Sequence, residues 1–287
     1  MKYAYYPGCS AESTARDHHA SILEVAKALG IELIEPKGWT CCGSTPAHQT
    51  GKLLSIALPA ANLLMVQEMG MDMVVGCAAC YNRMKVANQE INTNPEIKKQ
   101  VAQSLGKEYN GNVRIRHFIE ILLEDIGTEK LNYLFTHSLN GLKVANYYGC
   151  LLVRPREVTN FDDPENPASM ERLVEAMGGT GLDWPHKVEC CGGGFALSRP
   201  DIVVELSNNI LDMAETAGAQ CISVACPMCQ VNLDLRQKDI NKIKNKNYTI
   251  PIVYITQLLG LCLGIPSKKL GMNKCIVSPE LVINTVV

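Results

Sequence analysis

Cys190-Cys191-Gly192, then Cys226-Pro227-Met228-Cys229, with Cys150 far upstream, decide how this chain is read, because the same five-cysteine pattern stands in its first half. There it runs Cys9, then Cys41-Cys42-Gly43, then Cys77-Ala78-Ala79-Cys80. Thirty-one residues separate the lone cysteine from the pair in the first copy and thirty-nine in the second, while thirty-four separate the pair from the Cys-x-x-Cys in both. Ten of the thirteen cysteines fall into these two sets, leaving Cys221, Cys262 and Cys275 outside. A single Cys-x-x-Cys is ambiguous between zinc, a redox dithiol and chance. A duplicated five-thiol set at matched spacing points instead to two metal or iron–sulfur sites.

The chain has 287 residues, enough for two domains with cores of their own, and its 47% of hydrophobic residues is that of a globular protein. A net charge of -2 provides no field that would recruit nucleic acid. The most basic tract, Arg236 to Lys246, is broken by Asn and Asp239 and reads as a solvated helix end. Met1–Tyr6 lacks the apolar core of a signal peptide. The longest apolar runs, Leu53–Val66 and Ile252–Ile265, are too short and too interrupted to cross a bilayer. Cysteine-rich and without a secretion signal, the chain is expected to be cytoplasmic, its thiols metal ligands rather than a disulfide framework.

Outward from the cysteines, the two halves share one order of elements. Lys2–Tyr6 is expected as a strand ending at Cys9, Ala20–Leu29 as a helix closed by Gly30, and Ile31–Ile34 as a strand leading to Cys41. Leu53–Met69 is the longest helix, Met71–Val75 the strand into Cys77, with a helix beyond Cys80 toward Gln89 and then a polar loop. Val113–Ile115 introduces a helix over Phe118–Ile126. In the second half Lys143–Tyr148, Met170–Met177, Asp201–Ala217 and Cys221–Ala225 take the corresponding places, and Ile250–Gly260 matches Val113–Leu123. Strands alternating with helices imply parallel βαβ units. The expected architecture is α/β: two pseudo-symmetric, Rossmann-like parallel-sheet domains from an internal repeat, over residues 1–138 and 139–287. Each cysteine group follows a strand, so each set should gather at the carboxyl edge of its sheet, where such sheets bind ligands.

A structural zinc takes four ligands, as does a cubane cluster with one cysteine per iron. Five thiols with two adjacent point away from both, since neighbouring side chains do not easily converge on one tetrahedral ion. They suit a cluster with several iron atoms; zinc in one half is the plainer alternative. At this point the tandem arrangement, over about residues 2 to 260, resembles the CCG-domain proteins, and within them the B component of the heterodisulfide reductases of methanogens. The resemblance implies a noncubane four-iron–four-sulfur cluster on Cys9, Cys41, Cys42, Cys77 and Cys80, and a second on Cys150, Cys190, Cys191, Cys226 and Cys229. It implies an enzyme that reduces the mixed disulfide of coenzyme M and coenzyme B to two thiols, each half-substrate captured at one cluster. It also implies partners in a multisubunit complex: a ferredoxin-like iron–sulfur subunit and a flavin subunit. The alternative within the family is an electron-transfer subunit of a glycolate-, lactate- or succinate-type oxidoreductase. Many of those carry an additional ferredoxin-type Cys-x-x-Cys-x-x-Cys run, which this sequence lacks.

The implied substrate is anionic, which draws attention to Arg154 and Arg156 in the Pro-rich loop after Cys150, and to Lys52 and Arg199 at the starts of the two long helices. Each is otherwise a solvated surface charge. His48, close behind the first pair, can donate a proton to a leaving thiolate, and its counterpart position holds Leu197. The plainer reading is a hydrogen-bonded structural histidine. His18, His19, His117, His137 and His186 carry no local case for catalysis. Cys221 and Cys262 read as core residues, and Cys275 as an exposed thiol on a loosely held tail.

Overall fold

The computed structural model describes residues 1–286, with position 45 described by its backbone alone; only the last residue of the expected second domain lies outside it. The strands are short and, apart from the partly exposed Glu32–Ile34 and Thr180–Gly181, largely buried, as parallel sheets covered by helices require. In the first half they are β1 (Lys2–Tyr6), β2 (Glu32–Ile34), β3 (Met73–Val75) and β4 (Ile115–His117). The helices between and after them are α1 (Arg16–Ala28), α2 (Ser44–Thr50), α3 (Lys52–Met69), α4 (Ala78–Thr93), α5 (Pro95–Leu105), α6 (Phe118–Glu120) and α7 (Thr128–Leu134). The second half holds β5 (Lys143–Tyr147), β6 (Thr180–Gly181), β7 (Cys221–Val224) and β8 (Ile252–Tyr254). Its helices are α8 (Cys150–Val153), α9 (Arg156–Thr159), α10 (Ser169–Ala176), α11 (Pro200–Thr216), α12 (Pro227–Asp234), α13 (Gln237–Lys244), α14 (Ile255–Cys262) and α15 (Glu280–Thr285).

Both sheets are wholly parallel, in the orders β2-β1-β3-β4 and β6-β5-β7-β8. The α/β fold with a repeated domain is therefore the architecture of this protein. Tyr6 pairs with Val75 and Tyr147 with Val224, which makes Tyr6 and Tyr147 equivalent. In each sheet the order reverses between the first and third strands, and chains leaving that switch point diverge to leave a crevice at the carboxyl edge. Cys9 and Cys77 emerge there in one half, Cys150 and Cys226 in the other. The segment between α7 and β5, where the boundary at 138/139 was expected, carries the chain from one sheet to the next.

Some helices depart from expectation. The helix α4 begins inside the Cys-x-x-Cys, so Cys77 is its N-cap and Cys80 lies in its first turn. Cys226 caps α12 in the same way, with Pro227 at the first helical position. The expected polar loop after Gln89 is helical: Asn94 accepts from the N–H groups of Glu96 and Ile97, Pro95 follows at the first position, and Ile97 and Val101 bury one face of α5. The tail is also held firmly. Leu270 and Met272 are buried, Asp234 accepts from the N–H groups of Ile276 and Val277 at 2.8 and 2.9 Å, and Cys275 is half-buried rather than exposed. Cys221 and Cys262 are fully buried core residues.

The halves meet along a closely packed seam. Helix α1 packs on α14, and α4 on α8 and α9. Ser21 and Thr256 share a buried hydrogen bond of 2.6 Å, Tyr81 donates to Thr159 O at 3.0 Å, and Asn82 donates to the carbonyls of Leu151 and Arg154 at 3.1 and 2.8 Å. His18 stacks on Tyr254 with ring centroids 4.1 Å apart. Both His18 and His117 place Nε2 on Gly76 O, at 2.9 and 3.0 Å. A carbonyl only accepts, so each imidazole carries its proton on Nε2.

Two outcomes follow from this seam. Ser21→Ala strands the Thr256 hydroxyl and is expected to cost about 1–2 kcal/mol in urea unfolding, most of it recovered when Thr256→Val is added. Burial pushes His18 and His117 down from the ordinary 6.5 to about 4. Both are neutral in the fold but protonate in the unfolded chain, so stability is complete above pH 6.5 and falls as the pH drops toward 4. Unfolding free energies measured across that window should show the loss, and it should flatten in His18→Gln.

Candidate functional site

The loops that carry the adjacent cysteines are fixed by the strands beneath them. Tyr6, at the end of β1, donates its hydroxyl to Thr40 O at 2.8 Å, and Tyr147, at the end of β5, to Glu189 O at 2.6 Å. In each half the pinned carbonyl immediately precedes the Cys-Cys pair. Asn62 on α3 adds a second tie in the first half, bonding Thr40 N and Thr40 O at 2.8 and 3.0 Å. After each pair the chain turns through glycine, Gly43 at φ 79° and Gly192 at φ 76°. This left-handed turn aims the following N–H groups back at the thiols: Gly192 N lies 3.3 Å from Cys190 Sγ, and Ser44 N donates to Cys42.

With the loops so held, the ten thiols form matched pairs. Cys42 Sγ is 3.3 Å from Cys80 Sγ, and Cys191 Sγ is 3.6 Å from Cys229 Sγ. Cys41 is 3.7 Å from Cys9, and Cys150 contacts Cys190. Cys77 bonds Cys80 on one side and, across the seam, Cys226, which in turn bonds Cys229. The backbone joins there too, with Ala78 N donating to Ala225 O at 3.4 Å. Each set thus runs from buried thiols at the seam to more open ones, Cys9 and Cys41 in one half and Cys150 and Cys190 in the other. All five second-half thiols line a cavity of about 150 Å³ whose opposite wall is Ala78 and Ala79 of the first half. Met228, equivalent to Ala79, reaches Ser44 across the seam at 3.9 Å.

Protonation follows the pairing. Donation from Cys41 and Cys80 pulls Cys42 down to about 3 against its burial, with Ser44 N and the charge of Arg83 adding to the effect. Donation from Cys150 brings Cys190 to about 6. Cys226 is held well below the ordinary thiol range by Cys229 and Cys77. Their donors Cys41, Cys80, Cys77, Cys150 and Cys229 are pushed up in turn. Three thiolates ringed by thiols and amide N–H groups form a donor set ready to bind metal with loss of the remaining protons. Among the described residues no three metal-binding side chains close on one point as around a lone ion. The strung-out sulfurs suit a group with several metal atoms, and to that extent the residues present fit an iron–sulfur cluster in each half.

The other expected site residues lie as follows. His48, exposed on α2, receives a hydrogen bond at Nε2 from Arg83, and its pKa is lowered by burial and by that guanidinium. Its sequence counterpart, Leu197, is almost fully exposed. Arg154 bonds Pro164 O at 3.1 Å and Glu165 at 2.8 Å. Arg156 is exposed on α9. Lys52 pairs with Glu90 at 3.0 Å and Arg199 with Asp201 at 2.7 Å, both at the surface. Arg83, Asn232 and the tyrosines Tyr6 and Tyr147 did not stand out in the sequence. Arg83 and Asn232 each follow the second cysteine of a Cys-x-x-Cys by three residues, a spacing that puts them on the same helix face, so aligning the two copies around that motif would have found them.

Comparison with known proteins places this geometry in context. The model of the CCG family, a cysteine-rich domain, matches residues 3–85 and again residues 144–234. The chain is 34% identical over 252 residues to the B component of the ferredoxin:CoB-CoM heterodisulfide reductase of Methanosarcina mazei, covering 86% of this chain and 84% of that one. It is 31% identical over 275 residues to the 8-methylmenaquinol:fumarate reductase membrane anchor subunit of Wolinella succinogenes, covering 95% of each. A crystal structure of a hypothetical protein from Helicobacter pylori superposes with a TM-score of 0.77 at 12% identity, over 96% of this chain and about half (52%) of that one, and shares the fold. No helix among the described residues is long and apolar enough to cross a membrane.

Replacing Gly192 by Ala forces a side chain into the left-handed region and brings its Cβ to 3.2 Å from Val203. The expected cost is about 1–2 kcal/mol, read as a lower midpoint in chemical unfolding of the metal-free protein.

Proposed function

The chain belongs to the CCG cysteine-rich domain family, and we propose that it is the iron–sulfur subunit of a multisubunit oxidoreductase that reduces the coenzyme M–coenzyme B heterodisulfide to two thiols. Cys9, Cys41, Cys42, Cys77 and Cys80 would hold one noncubane four-iron cluster, and Cys150, Cys190, Cys191, Cys226 and Cys229 the other. When bound, the two clusters would supply the two electrons that cleavage of a disulfide requires, one from each side. The observation that carries this reading is the seam, where the two thiol sets meet at Cys77 and Cys226 beside a small cavity that the second set lines and that Ala78 and Ala79 of the first half close. A disulfide brought to this seam would be within reach of both sets, one half-substrate for each. The likeness to the Methanosarcina heterodisulfide reductase component supports the oxidoreductase class.

The remaining roles follow from the surroundings. His48 is the proposed proton donor: as a neutral ring with Nε2 accepting from Arg83 it offers Nδ1–H as a hydrogen bond to a leaving thiolate, and it would pass a proton on from the imidazolium form, which takes its extra proton from solvent and releases Arg83. Arg154 and Arg156, beside Cys150, are the proposed contacts for an anionic end of the substrate. Lys52 and Arg199 are the weaker proposals: like Arg154 each already has a carboxylate partner, but neither follows a cysteine as closely as Arg154 and Arg156 follow Cys150. The proposed setting is the cytoplasm, in a complex with a ferredoxin-like iron–sulfur subunit and a flavin subunit. A second reading, an electron-carrying subunit of a glycolate-, lactate- or succinate-type oxidoreductase, is favoured by the likeness to the Wolinella protein.

Anaerobically prepared protein should contain iron and sulfide in both halves, and Cys42→Ser and Cys191→Ser should each lose one centre's spectrum. Supplied with a reduced viologen, it should convert the heterodisulfide to free thiols, and either substitution should lower that rate at least tenfold. Iron in both halves with no thiol released would favour the electron-carrier reading, and zinc in either half would end the two-cluster one.

A further inference from the structure

The pseudo-twofold relation allows the surroundings of the two thiol sets to be compared position by position. One turn beyond the second cysteine of each Cys-x-x-Cys stand Arg83 on α4 and Asn232 on α12. Asn232 donates its amide to Cys191 O at 3.0 Å and lies 3.7 Å from Cys191 Sγ. The equivalent thiol in the first half is Cys42, and there the neighbour is a full positive charge. Arg83 is fixed at one nitrogen by His48, its Nε is buried without a partner, and it lies within electrostatic reach of the thiolate of Cys42 and of the thiol of Cys150. Cys42 is buried, whereas Cys150 lies at the more open edge of its set. The same charge therefore acts on Cys42 through a medium of lower dielectric.

We propose that Arg83 makes the two sites electrically unequal, so that the group held by Cys9, Cys41, Cys42, Cys77 and Cys80 takes up an electron at a higher potential than the group held by the second set. This rests on the reading that both sets hold iron–sulfur clusters. One-electron reduction by a low-potential donor adds one negative charge and breaks no bond. A fixed cation beside the thiolates stabilises the more negative, reduced form and raises the potential, while an amide dipole does so less. Electrons that arrive singly then come to rest first on the side where His48 stands.

The test is an anaerobic titration of the iron-loaded full chain with dithionite and mediator dyes, followed by electron paramagnetic resonance. Two reduction steps are expected, with the signal of the higher one altered by Cys9→Ser and untouched by Cys150→Ser. That assignment is made without changing Arg83, so it stands even if an Arg83 variant loads poorly. Arg83→Gln should lower the higher step more than the lower one and bring the two together with iron content unchanged, and Arg83→Lys should restore most of the gap. A higher step that belongs to the second set, or Arg83→Gln steps that stay in place or move equally, would overturn the inference alone. A chain that binds no iron would overturn it together with the cluster reading.

Discussion

Everything in this protein depends on a contact between two cysteines that no local sequence feature connects. Cys77 and Cys226 each stand two residues beyond a strand of a different sheet, and beside them Ala78 N reaches Ala225 O across the seam. Buried polar sulfur is costly unless partnered. Cys77 and Cys226 each have one partner in their own set and one in the other, so each half helps complete the other. The tyrosines under the Cys-Cys loops, the left-handed glycines after them and the histidines behind Gly76 all hold the backbone around that meeting point. The fold is a device for delivering ten sulfurs, drawn from six separate segments, to the two sides of one seam.

Much of this was legible in the sequence, and the reason is the repeat. A pattern of thiols that occurs twice at matched spacing constrains topology: six cysteine groups each following a strand can gather only if the strands are parallel and the crossovers pass behind them. Hence the order of elements, the α/β class and the identity of the clustered cysteines could be read before any coordinate. Helix starts were less legible. The helix α4 begins one residue into the Cys-x-x-Cys because a thiol-bearing residue in extended conformation serves as N-cap, and in the sequence Cys77 reads as a ligand rather than a cap. The helix α5 escapes a reading by apolar periodicity although its Asn-Pro-Glu start is a capping signal, because the surrounding residues are polar.

The asymmetry was the least legible part. Sequence comparison of the halves at the paired cysteines set His48 against Leu197, and neither position touches a partner common to both halves. The difference that acts on the thiols lies at Arg83 and Asn232, a turn beyond the motif, where one copy carries a charge and the other an amide. Surface cations that drew attention by their place at helix starts, Lys52 and Arg199, are instead engaged with carboxylates. Electrostatic partners depend on distances in space, and those became available only with the packing of α4 against α8 and α9.

The interlocking seam also bears on how such a chain is made. The wall of the second-half cavity is Ala78 and Ala79, and Cys77 finds its cross-seam partner about 150 residues downstream, at Cys226. While the chain is still emerging from the ribosome, its first half presents five thiols with the seam side uncovered, in reach of oxidants and stray metal ions. A metal centre on the first set would therefore be covered on its seam side only once the second half has folded. A cell that produces this protein needs a means of keeping those first thiols reduced during the interval.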